Sequence, residues 1–351
     1  MRNIFPDKLK TARLMRGLSL EALSVKMEGR VSKQALSKYE TGKMQPSEPV
    51  LQSLAEALQL PVGYFFRRGV QVSRISFRTD SRMPAHSTGQ MVSTAQDLME
   101  RYLHLEDSLS IPSSFVNPLH SLRIALSDDV EKAADRLRSK WQLGCFPIFS
   151  VYEMLESVGV KLIEFDAGVS HVMGFSTFVN KDIPLVVVNL SANATVERKR
   201  FTALHELGHL LLNFVPDLDD NRRERLCHLF AGAVLCPSSV LYKELGNVRT
   251  SLTLNELVSL KNRYGISVSA IVHRAKDLGV ISSQYYNDIF NNHIHANPME
   301  RGWGGYPIPE HTDRFERLLM RAVAEGHFSM EEAAELANEK AEEYGKRLSV
   351  L

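Results

Sequence analysis

The chain has 351 residues, 44% hydrophobic and 24% charged, close to globular averages, which excludes global disorder and collagen- or mucin-like repeats. At roughly 100–200 residues per domain, this length predicts two or three domains. The net charge of +1 hides an asymmetry: residues 1–70 carry 12 Lys/Arg against 6 Asp/Glu, and the remainder 30 against 35, so an anionic partner is expected for the N-terminal module alone. The longest apolar stretches, such as Pro184–Val188, are strand-length, and residues 1–10 lack the apolar core of a leader, so neither a membrane span nor export is expected. Three cysteines, Cys145, Cys227 and Cys236, with no CxxC pair, fit a reducing cytoplasm.

Residues 6–69 read as a run of short helices. Phe5, Leu9, Ala12 and Leu14 recur at helical spacing up to Gly17. Ser19 stands where an N-cap belongs, and Ser32 caps a third helix, Lys33–Tyr39, with Gly42 past its end. Pro46-Ser47 opens a fourth, carrying Val50, Leu51, Leu54, Ala55 and Leu58, and Pro61 stops it. The run resembles the Xre/Cro type of helix-turn-helix through Leu9, Arg13, Gly17-Leu-Ser-Leu-Glu21-Ala-Leu and Val31-Ser-Lys-Gln-Ala-Leu-Ser-Lys-Tyr-Glu40-x-Gly42-Lys43-x-x-Pro46-Ser47. That resemblance implies an all-α DNA-binding domain over 1–70 whose third helix enters the major groove. Ser32, Lys33, Gln34, Ser37 and Lys38 would then meet base edges, with Gln34 suited to adenine and Lys33 to guanine. Lys43 and Ser47 would meet phosphates. The competing reading is a helical domain used only for dimerisation or protein binding.

Residues 71–92 are polar and punctuated by Pro84 and Gly89, and read as a linker; a helix is expected over 94–105, so 71–120 is taken as a linker with a helical segment. Helical pattern fills 128–160. Residues 160–165, 174–179 and 185–189 are rich in branched and aromatic residues and predict strands. Helices are expected over 195–213, 221–236, 253–262 with a Thr253-x-x-Glu256 capping box, and 268–278 capped by Ser267. Residues 291–311 read as irregular, before a final pair of helices, 312–325 and 330–345.

The helix over 195–213 carries chemistry. His205 and His209 are four apart, so both imidazoles lie on one helical face and can share a metal ion. Glu206 is about 100° round from His205, beside the ion rather than on it, where a base can act on water. This is the HExxH arrangement of zinc hydrolases, and two imidazoles with one carboxylate suit Zn2+. Solvated histidines on a surface helix are the bland alternative. Leu204, Gly208, Leu211 and Leu212 oppose it by giving the helix a packed face. The 185–189 segment is expected to dock an extended peptide.

A third ligand must come from elsewhere, and Glu224 and His228 are both candidates, four apart on the next helix. Here the sequence resembles the ImmA/IrrE metallopeptidases, whose HExxH-LLL is followed by E-x-x-A-N-x-F-A-x-x-L-L-M-P. Glu224, Phe230, Ala231, Leu235 and Pro237 match, whereas Cys227, His228 and Cys236 stand where Ala, Asn and Met are usual. The resemblance, spanning about 125–280, assigns the third ligand to Glu224; His228 would be a supporting or oxyanion-stabilising group, or the alternative ligand. Cys227 and Cys236 are expected to pack as small hydrophobes.

The expected fold is α+β: an all-α helix-turn-helix domain, then a zincin-like α/β metallopeptidase domain over 121–285 and a helical C-terminal region over 286–351. The resemblances imply a cytoplasmic DNA-binding regulator with zinc-dependent endopeptidase activity. It would cleave a repressor or antitoxin-like protein or its own linker, with double-stranded DNA, that protein and a second copy of itself as partners and no membrane. The alternative is a non-proteolytic regulator or antitoxin-type protein whose metallopeptidase-like domain senses metal or a partner.

Overall fold

A computed structural model of the protein describes residues 4–66, 85–165, 173–190 and 195–348. Residues 71–84 of the expected linker lie outside them. The contacts divide the chain into two units, whose described residues are 4–66, 85–113 and 313–348 in the first and 114–165, 173–190 and 195–312 in the second.

The first unit begins with helices α1 (Ile4–Met15), α2 (Leu20–Lys26), α3 (Lys33–Glu40) and α4 (Glu48–Leu58), and a 3-10 turn over Val62–Phe66. Ser19 Oγ accepts Ala22 N–H and Ser32 Oγ accepts Ala35 N–H, so both expected N-caps form. Gly42 follows α3 at φ 69°, a left-handed position natural to glycine. Leu9, Leu23, Leu36, Leu54, Leu58, Tyr64 and Phe65 close a core of their own. Arg13 forks onto Glu40 through Nε at 2.6 Å and Nη2 at 2.9 Å, tying α1 to the end of α3.

The helix expected over 94–105 is longer: α5 runs Ala85–Ser108. Its early turns were masked by Ser87, Thr88 and Gly89, but Met91, Ala95, Met99 and Tyr102 continue one buried face at helical spacing. The C-terminal residues form α14 (Arg314–Ala324), α15 (Met330–Ala337) and α16 (Ala341–Leu348), the expected 330–345 helix being broken where Asn338 turns left-handed at φ 58°. Leu105, Leu319, Ala333 and Tyr344 share a core. Asp97 on α5 accepts from Arg101 at 3.0 Å and from Asn338 at 3.1 Å, and Arg101 donates to Leu336 O. Lys8 of α1 pairs with Glu100. The C-terminal helices therefore belong to the same unit as the helix-turn-helix, and the second unit is inserted between α5 and α14 in sequence.

The second unit is mixed α/β. Residues 128–160 form two helices, α6 (Ser127–Lys140) and α7 (Val151–Ser157), rather than one. Gln142 and Gly144 take positive φ between them, and Arg138 holds the loop through Gly144 O and Phe146 O. Strands β1 (Lys161–Phe165), β2 (Gly174–Val179) and β3 (Ile183–Asn189) form a sheet in the order β1-β3-β2, with β3 parallel to β1 and antiparallel to β2. Then come α8 (Val196–Leu211), α9 (Asp220–Leu235), α10 (Ser238–Leu245), α11 (Leu254–Tyr264), α12 (Val268–Asp277), α13 (Ser283–Ile289) and a π turn over Phe290–Ile294. The sequence reading missed α10 because Pro237 looked like a stop. A proline is equally at home just before or at the start of a helix. The capping box of Thr253 with Glu256 forms as expected.

The central place of β3 corrects one expectation. Its edges are occupied by β1 and β2, so residues 185–189 cannot take an added peptide strand. Its burial explains the unbroken apolar run: Pro184 through Asn189 are all buried.

Candidate metal centre and DNA-facing helix

Two close-packed helices build the centre. Gly208 lets α9 approach α8, since a Cβ there would lie 3.3 Å from Cys227 Sγ and 3.3 Å from Phe230. Thr195 caps α8 and Asp219 caps α9, a role that accounts for one of the acids preceding Glu224. Arg200, fully buried on α8, donates to Ile148 O, Phe149 O and Gly265 O and pairs with the buried Glu310. Glu310 also accepts from Ser150 Oγ and from the first amides of α7, Val151 and Tyr152. Glu300 likewise accepts Val268 and Ser269 N–H at the start of α12 and pairs with Lys261 at 2.8 Å. The stretch read as irregular thus staples four helices, α7, α8, α11 and α12, through two buried carboxylates.

The side chains of α8 and α9 then converge. His205 Nε2 and His209 Nε2 are 3.1 Å apart, and Glu224 places Oε2 3.2 Å from the first and Oε1 3.1 Å from the second. These three residues offer donor atoms all within 4.8 Å of one another and form the one such cluster among the described residues. Two borderline nitrogens and one hard oxygen, clustered this closely, fit the ligand set and spacing of zinc. The imidazole contacts hold the Glu224 carboxyl well below the usual carboxylate range. His228 lies outside the cluster: its ring is 4.3 Å from that of His205 and stacks on Phe201 at 5.7 Å. Protein crowding around the imidazole, and then the neighbouring His205, lower its pKa to about 4, although part of the residue is exposed.

Glu206 points to the sheet side. It is buried, and Ser176 Oγ on β2 donates to Oε2 at 2.8 Å. Burial raises its pKa, opposed by the two imidazoles and the serine hydroxyl. Sequence reading did not find Ser176. Its only trace was a small polar residue in the predicted 174–179 strand, and nothing in one sequence pairs that strand with residue 206.

On the first unit, Ser32, Lys33, Gln34, Lys38, Lys43 and Ser47 are exposed, and Ser37 is half-buried. Lys33 makes a 3.6 Å exposed pair with Glu21. Leu36 and Tyr39 anchor the opposite face of α3. Ser47 takes N-cap geometry before α4 without making the cap bond.

Residues 9–65 match the family model of the helix-turn-helix, and residues 155–276 match that of the IrrE N-terminal-like domain, a peptidase family. No curated protein matches the chain. The polypeptide thus fuses an Xre/Cro-type helix-turn-helix domain to a domain of the ImmA/IrrE peptidase family. Among the described residues, no single helix is long and apolar enough to cross a membrane.

Proposed function

We propose that the protein is a cytoplasmic DNA-binding regulator whose second unit is a zinc-dependent endopeptidase that cuts a repressor or antitoxin-like protein. The observation that carries this reading is the convergence of His205, His209 and Glu224 on one point with a buried, hydrogen-bonded carboxylate, Glu206, beside it. A zinc-sensing or purely structural site has no use for that fourth group. His205, His209 and Glu224 would hold the ion, which when bound supplies a Lewis acid that polarises the scissile carbonyl and acidifies water. Glu206 takes the proton from the attacking water and hands it to the leaving amine. Ser176 keeps one Glu206 oxygen engaged so that the other faces the reaction. His228, whose ring lies 4.3 Å from that of His205, would donate to the carbonyl oxygen as charge develops there.

On the DNA side, Gln34 and Lys33 would read base edges, Ser32, Ser37 and Lys38 would line the same groove, and Lys43 with Ser47 would fix the phosphates. A partner protein is favoured over the chain's own linker as the substrate. A cut within 71–84 would leave α1 held to α5 by the Lys8–Glu100 pair and by Gln90 Nε2 donating to Met15 O, so the DNA-binding helices would stay in place.

The test is purification with zinc quantified per chain, followed by incubation with candidate repressor or antitoxin-like proteins, drawn from whatever the neighbouring coding sequences encode, and fragment analysis by mass spectrometry. Wild type is expected to hold about one zinc and cut; Glu206→Gln is expected to hold zinc and not cut. Zinc retained in full by Glu224→Ala but lost from His228→Ala would overturn the ligand assignment. Equal cutting by wild type and Glu206→Gln would overturn the assignment of Glu206 as the base, and no cutting by wild type would overturn the endopeptidase reading.

A further inference from the structure

The two positions where α9 departs from its family's pattern, Cys227 and His228, each touch one of the two histidines of the centre. His228 packs its ring on His205. Cys227 brings its sulfur to 3.5 Å from His209 Nδ1. The two histidines also differ on the side away from the cluster. His205 Nδ1 is buried with no hydrogen-bond partner among the described residues, whereas His209 Nδ1 has the sulfur. Cys227 is fully buried, and its Cα and Sγ lie against Gly208, one residue before His209, at the α8–α9 contact.

We infer that Cys227 is a positioning residue for the metal centre: its sulfur accepts a hydrogen bond from His209 Nδ1–H and so fixes the tautomer and ring orientation that turn the Nε2 lone pair toward His205 and Glu224. This rests on the metal-site reading above. The reasoning is tautomeric. A neutral imidazole carries one proton, and a ligating Nε2 must be the bare nitrogen, so Nδ1 must be the protonated one. A buried N–H with no acceptor is costly, which would favour the opposite tautomer. Zinc-binding histidines ordinarily give this proton to a carboxylate or a backbone carbonyl; at His209 a sulfur stands in reach of it, 3.5 Å from Nδ1. Alanine at 227 would take this sulfur away from His209 Nδ1.

The experiment measures zinc affinity of the full chain by competition with a chromogenic chelator, and the visible absorption of the Co2+-loaded chain, for wild type, Cys227→Ala, Cys227→Ser and His209→Ala. Thermal melts of the metal-free chains run alongside. Cys227→Ala is expected to weaken zinc binding by about 10–100-fold and to change the intensity of the cobalt bands, the range seen when such outer partners are removed. Cys227→Ser restores an acceptor and is expected to recover most of the affinity even if its metal-free melt is lower, a split that loss of packing alone would not produce. If Cys227→Ala does not fold, Cys227→Val against Cys227→Ser carries the same comparison. Wild-type affinity in Cys227→Ala, or equal weakening in Ala and Ser that follows their melts, overturns the inference while leaving the metal site standing, provided His209→Ala loses zinc. No binding by wild type overturns the site and the inference with it.

Discussion

Helices α3 and α8 use the same spacing for opposite purposes. Both set polar residues three and four apart along one face, and both anchor the other face in a core. On α3 the polar face looks into water, so Lys33, Gln34 and Lys38 need no partners, and two buried anchors, Leu36 and Tyr39, suffice. On α8, polar residues point inward. Glu197, Arg200 and Glu206 are all buried, and each is met by a group from elsewhere in the chain: Tyr306 N–H, Glu310 and Ser176. A polar surface is built by one helix alone, whereas a polar interior needs a whole unit around it.

The strongest way to break this contrast is to remove one of those inner partners. Glu310→Ala leaves Arg200 charged, buried and unpaired, and should cost the second unit roughly 3–5 kcal/mol. The two tryptophans, Trp141 and Trp303, both lie in that unit, so the urea midpoint followed by tryptophan fluorescence reads it directly. Amide exchange in α3 should be unchanged. A loss under about 1 kcal/mol would mean that water repairs the site and that the interior is less dependent on its partners than argued.

Zinc should act on one region only. Ligands that bind the folded state stabilise it by about 2.7 kcal/mol at a hundredfold excess over Kd. Added zinc should raise the tryptophan-detected free energy of unfolding by about 2.7 kcal/mol at that excess, and Glu224→Ala should erase the gain. On α3 the effect appears in binding instead. Gln34→Ala should lose about 1–3 kcal/mol of preference at one adenine. Lys43→Ala should weaken all sequences alike and lower the salt slope by about one. An unchanged salt slope would remove Lys43 from the phosphate contacts.

The same contrast explains what a single sequence discloses. The N-caps Ser19, Ser32, Ser267 and the Thr253–Glu256 box were readable because a cap and its target lie three residues apart. The His205/His209 pair was readable for the same reason. Ser176 with Glu206, Glu310 with Arg200 and Asp97 with Asn338 were not, since these partners are 30, 110 and 241 residues apart and carry no local period. Strand order also escaped. An apolar run marks a strand covered on both faces, and the choice of β3 as a docking edge assumed which neighbour it lacked. The cysteine at 227 looked like a small hydrophobe, and by burial it is one; only the fold brings its sulfur to His209.

The smallest expected effect separates two serines that look alike in sequence. Ser32 and Ser47 both precede a helix with extended backbone, at φ −73° and −72°. Ser32 Oγ accepts Ala35 N–H at 3.2 Å, so Ser32→Ala should lower the stability of the α3 region by about 1 kcal/mol. Ser47 makes no cap bond, and Pro49, the second residue of α4, has no N–H to offer one. Ser47→Ala should therefore change stability by less than about 0.5 kcal/mol, as surface substitutions without a structural partner do. Its hydroxyl, exposed at a helix start, remains available to a phosphate, and its removal should weaken binding to every duplex by a similar factor. Amide exchange in α3 and α4, with duplex titrations of the full chain at two salt concentrations, measures both. If Ser47→Ala destabilises α4 as much as Ser32→Ala destabilises α3, the hydroxyl is a structural cap in solution and its assignment to the DNA falls.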